Sequence, residues 1–121
     1  MKRTAIIGAT PNPSRYAYIA AHSLKEKGYD FVPIGIKNGE VAGQKIVDMR
    51  NKPQVENIDT LTLYLGAKNQ EEWQDYMLSL KPKRIIFNPG TENPEFEAKA
   101  KSEGIETLNA CTLVMLNVGN Y

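Results

Sequence analysis

The stretch Gly8-Ala9-Thr10-Pro11-Asn12-Pro13-Ser14-Arg15 holds the residues of this 121-residue sequence best suited to binding chemistry. It follows the short apolar run Thr4-Ala5-Ile6-Ile7, which reads as a buried strand, and precedes a helical pattern. A loop that leaves a strand and opens a helix presents unpartnered backbone N–H groups and the positive end of the helix dipole. Those are the elements of an anion site. Thr10, Ser14 and Arg15 add side-chain donors suited to phosphate oxygens. The spacing is not G-x-G-x-x-G. Thr10 stands where the second glycine would admit a pyrophosphate, which disfavours ordinary dinucleotide binding. A plain β–α turn with a capping serine and a surface arginine would use the same residues, so the loop alone leaves both readings open.

A second chemical signal lies at Ile34-Gly35-Ile36-Lys37-Asn38. NAD-binding domains place an acid at this position, about 20 residues after the glycine loop, to hold ribose hydroxyls. Here a lysine stands instead. Lys37 suits a phosphorylated ribose, as in NADP or the 3′-phosphate of coenzyme A; taken alone, it reads more readily as a solvated surface lysine. Groups for acid–base or nucleophilic work are sparse. His22, the one histidine, falls inside the first helix, away from the strand ends. Cys111 sits at a strand end with no His or Lys placed to activate it, and reads as a buried, inert thiol. Glu92, Glu95 and Glu97 gather at a helix start, where the dipole accounts for them. No H-E-x-x-H, paired cysteine, P-loop or nucleophile elbow is present, so the expected catalytic and metal-ligand sets are empty.

The elements that must carry these residues alternate between strand and helix. After the first strand, Ser14 reads as a helix N-cap, with Tyr16, Ile19, Ala20 and Leu24 at helical spacing and Gly28 as the stop. A second strand covers Tyr29 to Ile36, and Lys37 to Asn57 reads mostly as loop with room for a short strand. Thr60 to Leu65 is the third strand. Asn69 with Glu72 forms a capping-box pattern, and Trp73, Tyr76, Met77 and Leu80 form one apolar core stripe. Arg84 to Phe87 is the fourth strand, broken by Asn88-Pro89-Gly90. Asn93 caps a helix with Pro94 at its first position and Gly104 at its end. Ile105 to Leu108 is the fifth strand, and Thr112 to Val118 reads as a closing helical turn.

Strands joined through helices require parallel pairing and right-handed crossovers. The expected fold is therefore α/β: a three-layer, Rossmann-type doubly wound sheet of about five parallel strands in the order 3-2-1-4-5. Its ligand crevice lies at the strand carboxyl ends, where the order reverses. That singles out Gly8 to Arg15, Gly35 to Asn38, Gly66 to Lys68, Asn88 to Thr91, and Asn109 to Cys111.

Composition agrees with a domain of this kind. Residues 1–121 read as one domain, with 41% hydrophobic and 24% charged residues. Fifteen basic residues against fourteen acidic ones give no basic excess for nucleic acid or a membrane surface. The apolar run after Met1-Lys2-Arg3 breaks at Gly8, short of a signal peptide, and no stretch approaches the roughly 20 apolar residues of a membrane span. A lone cysteine fits a reducing compartment, and the expected location is cytoplasmic.

Six pieces in this order resemble the stand-alone CoA-binding domain family, whose fold is that of the N-terminal domain of the succinyl-CoA synthetase α subunit. They are Gly8-Ala9-Thr10 with Asn12-Pro13-Ser14-Arg15; Lys25 to Tyr29 ending Gly28-Tyr29; Gly39-Glu40-Val41 with Gly43; Asn88-Pro89-Gly90; Pro94-Glu95-Phe96-Glu97; and Gly104-Ile105 with Cys111. The resemblance covers nearly the whole chain. It implies a nucleotide received by the first loop (Gly8, Ala9, Thr10, Pro13, Ser14, Arg15) and by Lys37, with Asn88, Pro89 and Gly90 bordering the pantetheine side. Two places depart from the family pattern: its P-V-N-P strand ending is here Pro33-Ile34-Gly35-Ile36, and the charged residues common around its cysteine are here Asn109, Ala110 and an apolar run. The synthetase's phosphohistidine domain has no counterpart.

The expected function is thus a binding module for coenzyme A or an acyl-CoA, without catalysis of its own. Two other readings stay open. One is an NADP-type reductase or redox sensor; the other is a degenerate domain that works through protein contacts.

Overall fold

The computed structural model describes residues 2–121. β1 (Arg3–Ile7) leads through α1 (Tyr16–Glu26) to β2 (Asp30–Gly35). A small antiparallel hairpin follows, formed by β3 (Glu40–Val41) and β4 (Gln44–Lys45), then β5 (Val47–Asp48) and a 3-10 turn at Met49–Asn51. Next come β6 (Thr60–Leu63), α2 (Ala67–Gln70), a second 3-10 turn at Glu71–Trp73, and α3 (Gln74–Ser79). β7 (Arg84–Phe87), α4 (Pro94–Ser102), β8 (Glu106–Asn109) and α5 (Thr112–Val118) complete the order.

Six strands form one parallel sheet in the order β5-β2-β1-β6-β7-β8. The short apolar runs predict this burial, because a parallel sheet covered on both faces needs strands that are apolar on both sides. Ala5, Ile7, Val32, Ile34, Leu61, Leu63, Ile85 and Phe87 face one way and pack with Tyr76, Met77, Leu80, Phe96 and Ala100. Ile6, Phe31 and Ile86 face the other way, onto Ala17, Ala21 and Leu24 of α1 and Met115 and Leu116 of α5. The architecture is three-layered, doubly wound and Rossmann-like.

One part of the expected topology needs correcting. The strand beginning at Thr60 does not lie outside β2; it pairs with β1, Thr4 opposite Thr60 through Ile7 opposite Leu63. The place outside β2 belongs to β5, paired through Ile34 with Val47 and Gly35 with Asp48. Two residues carry no periodic signal, so β5 is hidden within a polar stretch. Counting it gives the order 3-2-1-4-5-6 and places the switch point between β1 and β6.

Two expected caps also differ. α1 begins after Arg15, which makes no side-chain cap, while Ser14 sits inside the preceding turn. Asn69 lies within α2, whose N-cap is Gly66; the Gly66 carbonyl accepts the Asn69 and Gln70 amides at 3.0 and 3.1 Å. The expected cap at Asn93 is present, its Oδ1 accepting the Phe96 amide at 3.1 Å with Pro94 next in line.

The sheet face toward α1 and α5 is polar at its centre, with Thr4, Thr60, Thr62 and Arg84 all buried. Arg84 donates Nε to Thr60 Oγ1 at 2.8 Å and lies 4.6 Å from the Tyr121 ring centroid. The Tyr121 hydroxyl is hydrogen-bonded to Thr4 Oγ1. A stacked, hydrogen-bonded guanidinium is the form in which a cation tolerates such burial.

Candidate functional site

The carboxyl ends of β1, β2, β6 and β7 open into one cleft of about 760 Å³. That lies within the usual range for cofactor sites, about 300–1,000 Å³. The first wall is the loop after β1. Gly8 adopts φ +94°, a conformation open to glycine at little cost, and turns the chain across the end of β2. There the Gly8 and Ala9 amides both donate to the Ile34 carbonyl, at 2.9 and 3.1 Å. The approach is close enough that a Cβ on Gly35 would lie 2.7 Å from the Ala9 carbonyl oxygen. Gly35, one of the departures from the family's strand ending, is therefore required by this loop's position.

Asn12 organises the rest of the loop. Its amide donates to Thr10 Oγ1 at 3.2 Å, and its Oδ1 accepts from the Ser14 amide at 3.0 Å and the Ser14 hydroxyl at 2.8 Å. This is the turn chemistry asparagine provides. The Arg15 amide donates to the Asn12 carbonyl at 3.1 Å, and the Arg15 carbonyl receives the Tyr18 and Ile19 amides. The Tyr16 and Ala17 amides are left without intrahelical acceptors at the head of an 11-residue helix with no acid in its first turn. The Arg15 side chain is exposed beside them, as is Lys37 beyond β2. Among the described residues the ion pairs are Arg3–Asp30, Arg50–Asp48, Lys99–Asp75 and Lys101–Glu97, so neither Arg15 nor Lys37 is neutralised by a carboxylate.

The opposite wall comes from the loops after β6 and β7: Tyr64, Leu65 and Gly66, then Pro89, Gly90 and Thr91. Asn69, Glu72 and Trp73 extend it, and Met49 reaches it from the 3-10 turn after β5. That turn is held by Asp48, whose Oδ1 accepts the Arg50 amide at 2.9 Å while its carboxylate pairs with the guanidinium at 3.0 Å. The side-chain hydrogen bond from Arg50 keeps the Asp48 carboxyl below the ordinary carboxylate range. Burial pushes the Tyr64 hydroxyl up to about 12, so it is a neutral phenol at physiological pH.

Of the site residues expected from sequence, Gly8, Ala9, Thr10, Ser14, Arg15, Lys37, Pro89 and Gly90 line this cleft together. Pro13 and Asn88 do not. Pro13 is exposed on the outer turn. Asn88 is buried and fully engaged, donating to Thr62 Oγ1 and the Leu63 carbonyl at 2.7 and 2.9 Å and accepting the Thr112 amide at 2.8 Å. It ties the start of α5 to the sheet.

Tyr64, Met49 and Trp73 were missed as lining residues. Trp73 belongs to the expected core stripe but is only half-buried, packing on the core with one part and on the cleft with another. His22 is exposed on α1, its ring centroid 4.5 Å from that of Tyr18, and lies outside the lining. Cys111 is half-buried ahead of α5 and is also outside it. The ionisable side chains of the lining are Arg15, Lys37, Glu72 and the phenols Tyr16 and Tyr64. Among the described residues no cluster of three or more His, Cys, Asp or Glu could hold a metal ion, and no helix is long and apolar enough to cross a membrane.

Comparison with solved structures agrees with this architecture over essentially the whole chain. A crystal structure of an uncharacterized protein is 52% identical with a TM-score of 0.96, covering 100% of this chain and 98% of that one. A hypothetical protein from Pyrococcus horikoshii OT3 is 30% identical with a TM-score of 0.84, covering 97% and 82%. A protein from Thermus thermophilus at 24% identity and a TM-score of 0.82, covering 99% and 90%, shares the fold. No curated protein matches the chain. Residues 2–117, which carry every wall of the cleft, match the CoA binding domain family, and the chain belongs to that family.

Proposed function

We propose that the cleft binds coenzyme A or an acyl-CoA and that the protein acts as a binding module, without chemistry on its ligand. The observation that carries this reading is the junction of the first loop, the head of α1 and two cations free of carboxylate partners. Arg15 and the amides of Tyr16 and Ala17 form a pyrophosphate site, with Thr10 and Ser14 beside them. Lys37, after β2, takes the 3′-phosphate on the ribose. Pro89 and Gly90, across the cleft, border the pantetheine arm. The absence of an acid at the end of β2 argues against NAD, and family membership favours coenzyme A over NADP. The binding-only part rests on the lining: the Tyr64 phenol is neutral, Tyr16 faces solvent, and Glu72 is the one carboxylate, with no histidine or thiol among the lining residues.

Isothermal titration against CoA, acetyl-CoA, dephospho-CoA, NADPH, NADH and ATP tests the reading. CoA or acetyl-CoA is the expected tightest ligand, and at 100 times its Kd it should stabilise the fold by about 2.7 kcal/mol. NADPH binding more tightly than CoA would overturn the ligand assignment. Incubated acetyl-CoA should be recovered intact; turnover abolished by Cys111→Ser would overturn the binding-only assignment.

A further inference from the structure

Gln70 closes α2 as a primary amide with no exposure to solvent. Its Nε2 donates to the Leu65 carbonyl at 2.8 Å and to the Thr91 carbonyl at 2.8 Å, and its Oε1 accepts from Asn93 Nδ2 at 2.9 Å. Both donors of the amide are spent on two different loops, and its oxygen is anchored by the residue that caps α4. Those loops line the cleft, one after β6 and one after β7. The β6–β7 ladder stops at Leu63 opposite Phe87; just past it Asn88 donates to the Leu63 carbonyl, and farther out the side chain of Gln70 links the two loops. The loops run close together there, since a Cβ on Gly66 would lie 4.0 Å from the Gly90 carbonyl oxygen.

We infer that Gln70 is a positioning residue that sets the separation of the Leu65–Gly66 and Gly90–Thr91 segments, and with it the shape of the wall facing the pantetheine arm. The inference rests on the CoA reading for the identity of the ligand that feels this wall. A wall held in its binding shape by buried hydrogen bonds spares the ligand the cost of ordering it.

Gln70→Met tests it, because methionine has nearly the same length and fills the site but neither donates to the two carbonyls nor accepts strongly from Asn93. Affinity is read for CoA and for adenosine 3′,5′-bisphosphate, which lacks the pantetheine arm, alongside amide hydrogen exchange at Gly66 and Gly90 in the unliganded protein. The expected result is about a tenfold loss for CoA, no change for the bisphosphate, and faster exchange confined to the two loops. Equal losses for both ligands, or unchanged CoA affinity with unchanged exchange, would overturn it. Should Gln70→Met not fold, Gln70→Glu keeps the length and the acceptor for Asn93 while turning a carboxylate toward the two carbonyls, and is read in the same way. If neither variant folds, Gln70 serves the whole fold and the inference falls. Wild-type protein that binds no CoA would overturn the functional reading instead, while the exchange measurement would still decide whether Gln70 clamps the loops.

Discussion

Replacing Gly35 by alanine should displace the first loop and cost stability and ligand binding together. A Cβ there would lie 2.7 Å from the Ala9 carbonyl oxygen and 3.1 Å from its amide nitrogen, against an ordinary contact of 3.4 Å or more. Both neighbours are backbone, so no flexible side chain can swing aside. The loop would have to retreat by several tenths of an ångström, pulling the Gly8 and Ala9 amides from the Ile34 carbonyl they share. Overpacking of this kind costs about 1–3 kcal/mol, and weakening a hydrogen bond adds about 0.5–1.5 kcal/mol. A total loss of about 1.5–4.5 kcal/mol should appear in urea unfolding as a lower midpoint with an unchanged slope. Gly90→Ala provides the control on the other wall: it would meet nothing within 4 Å, so its cost comes only from φ +93° and should be about 1–2 kcal/mol. A Gly35→Ala protein within about 0.5 kcal/mol of wild type, with ligand affinity intact, would refute the argument that this close approach positions the loop.

Lys37→Ala should weaken CoA more than dephospho-CoA, by about 1–3 kcal/mol for a charge-assisted contact, and equal losses in calorimetry would remove the 3′-phosphate assignment. Arg15→Ala should raise the Kd for CoA and flatten its dependence on salt, while circular dichroism stays unchanged because the side chain is exposed; unaltered affinity would move the pyrophosphate elsewhere. Burial holds the Tyr64 and Tyr76 hydroxyls near 12 and raises that of Tyr121. Ultraviolet titration should therefore find three of the six tyrosines ionising late, and since a raised folded pKa stabilises the fold below the unfolded value, stability should fall as pH rises above about 10. Hydrogen bonds from Thr107 and Asn109, with Lys101 nearby, keep the Glu97 carboxyl below 4.5. Its contribution is present above that value and lost as pH falls through the lowered one, so Glu97→Gln should soften the acid limb of the stability curve.

The alternation of apolar runs with helical stripes was enough to predict layers, parallel pairing and the edge of the sheet at which the loops gather around a cleft. Runs such as Ala5-Ile6-Ile7 and Arg84-Ile85-Ile86-Phe87 signal burial on both faces, and local residues such as Gly8, through its backbone freedom, and Asn93, through a side chain that caps the helix it begins, act on their immediate neighbours. Eight of the ten expected site residues lie in one cleft because β–α loops of a parallel sheet share one edge by topology. What stayed hidden depends on contacts between segments distant in sequence. β5 is two residues long and exists only because the edge of β2 accepts it. Asn88 reads as a turn residue next to Pro89, yet its amide is spent on Thr62, Leu63 and Thr112, more than 20 residues away in either direction. Gln70, a polar residue on a four-residue helix, becomes fully buried only when the loops after β6 and β7 close around it. Local pattern reports which face of an element is apolar. Which polar group a buried amide will find is decided by the packing that brings the partners together.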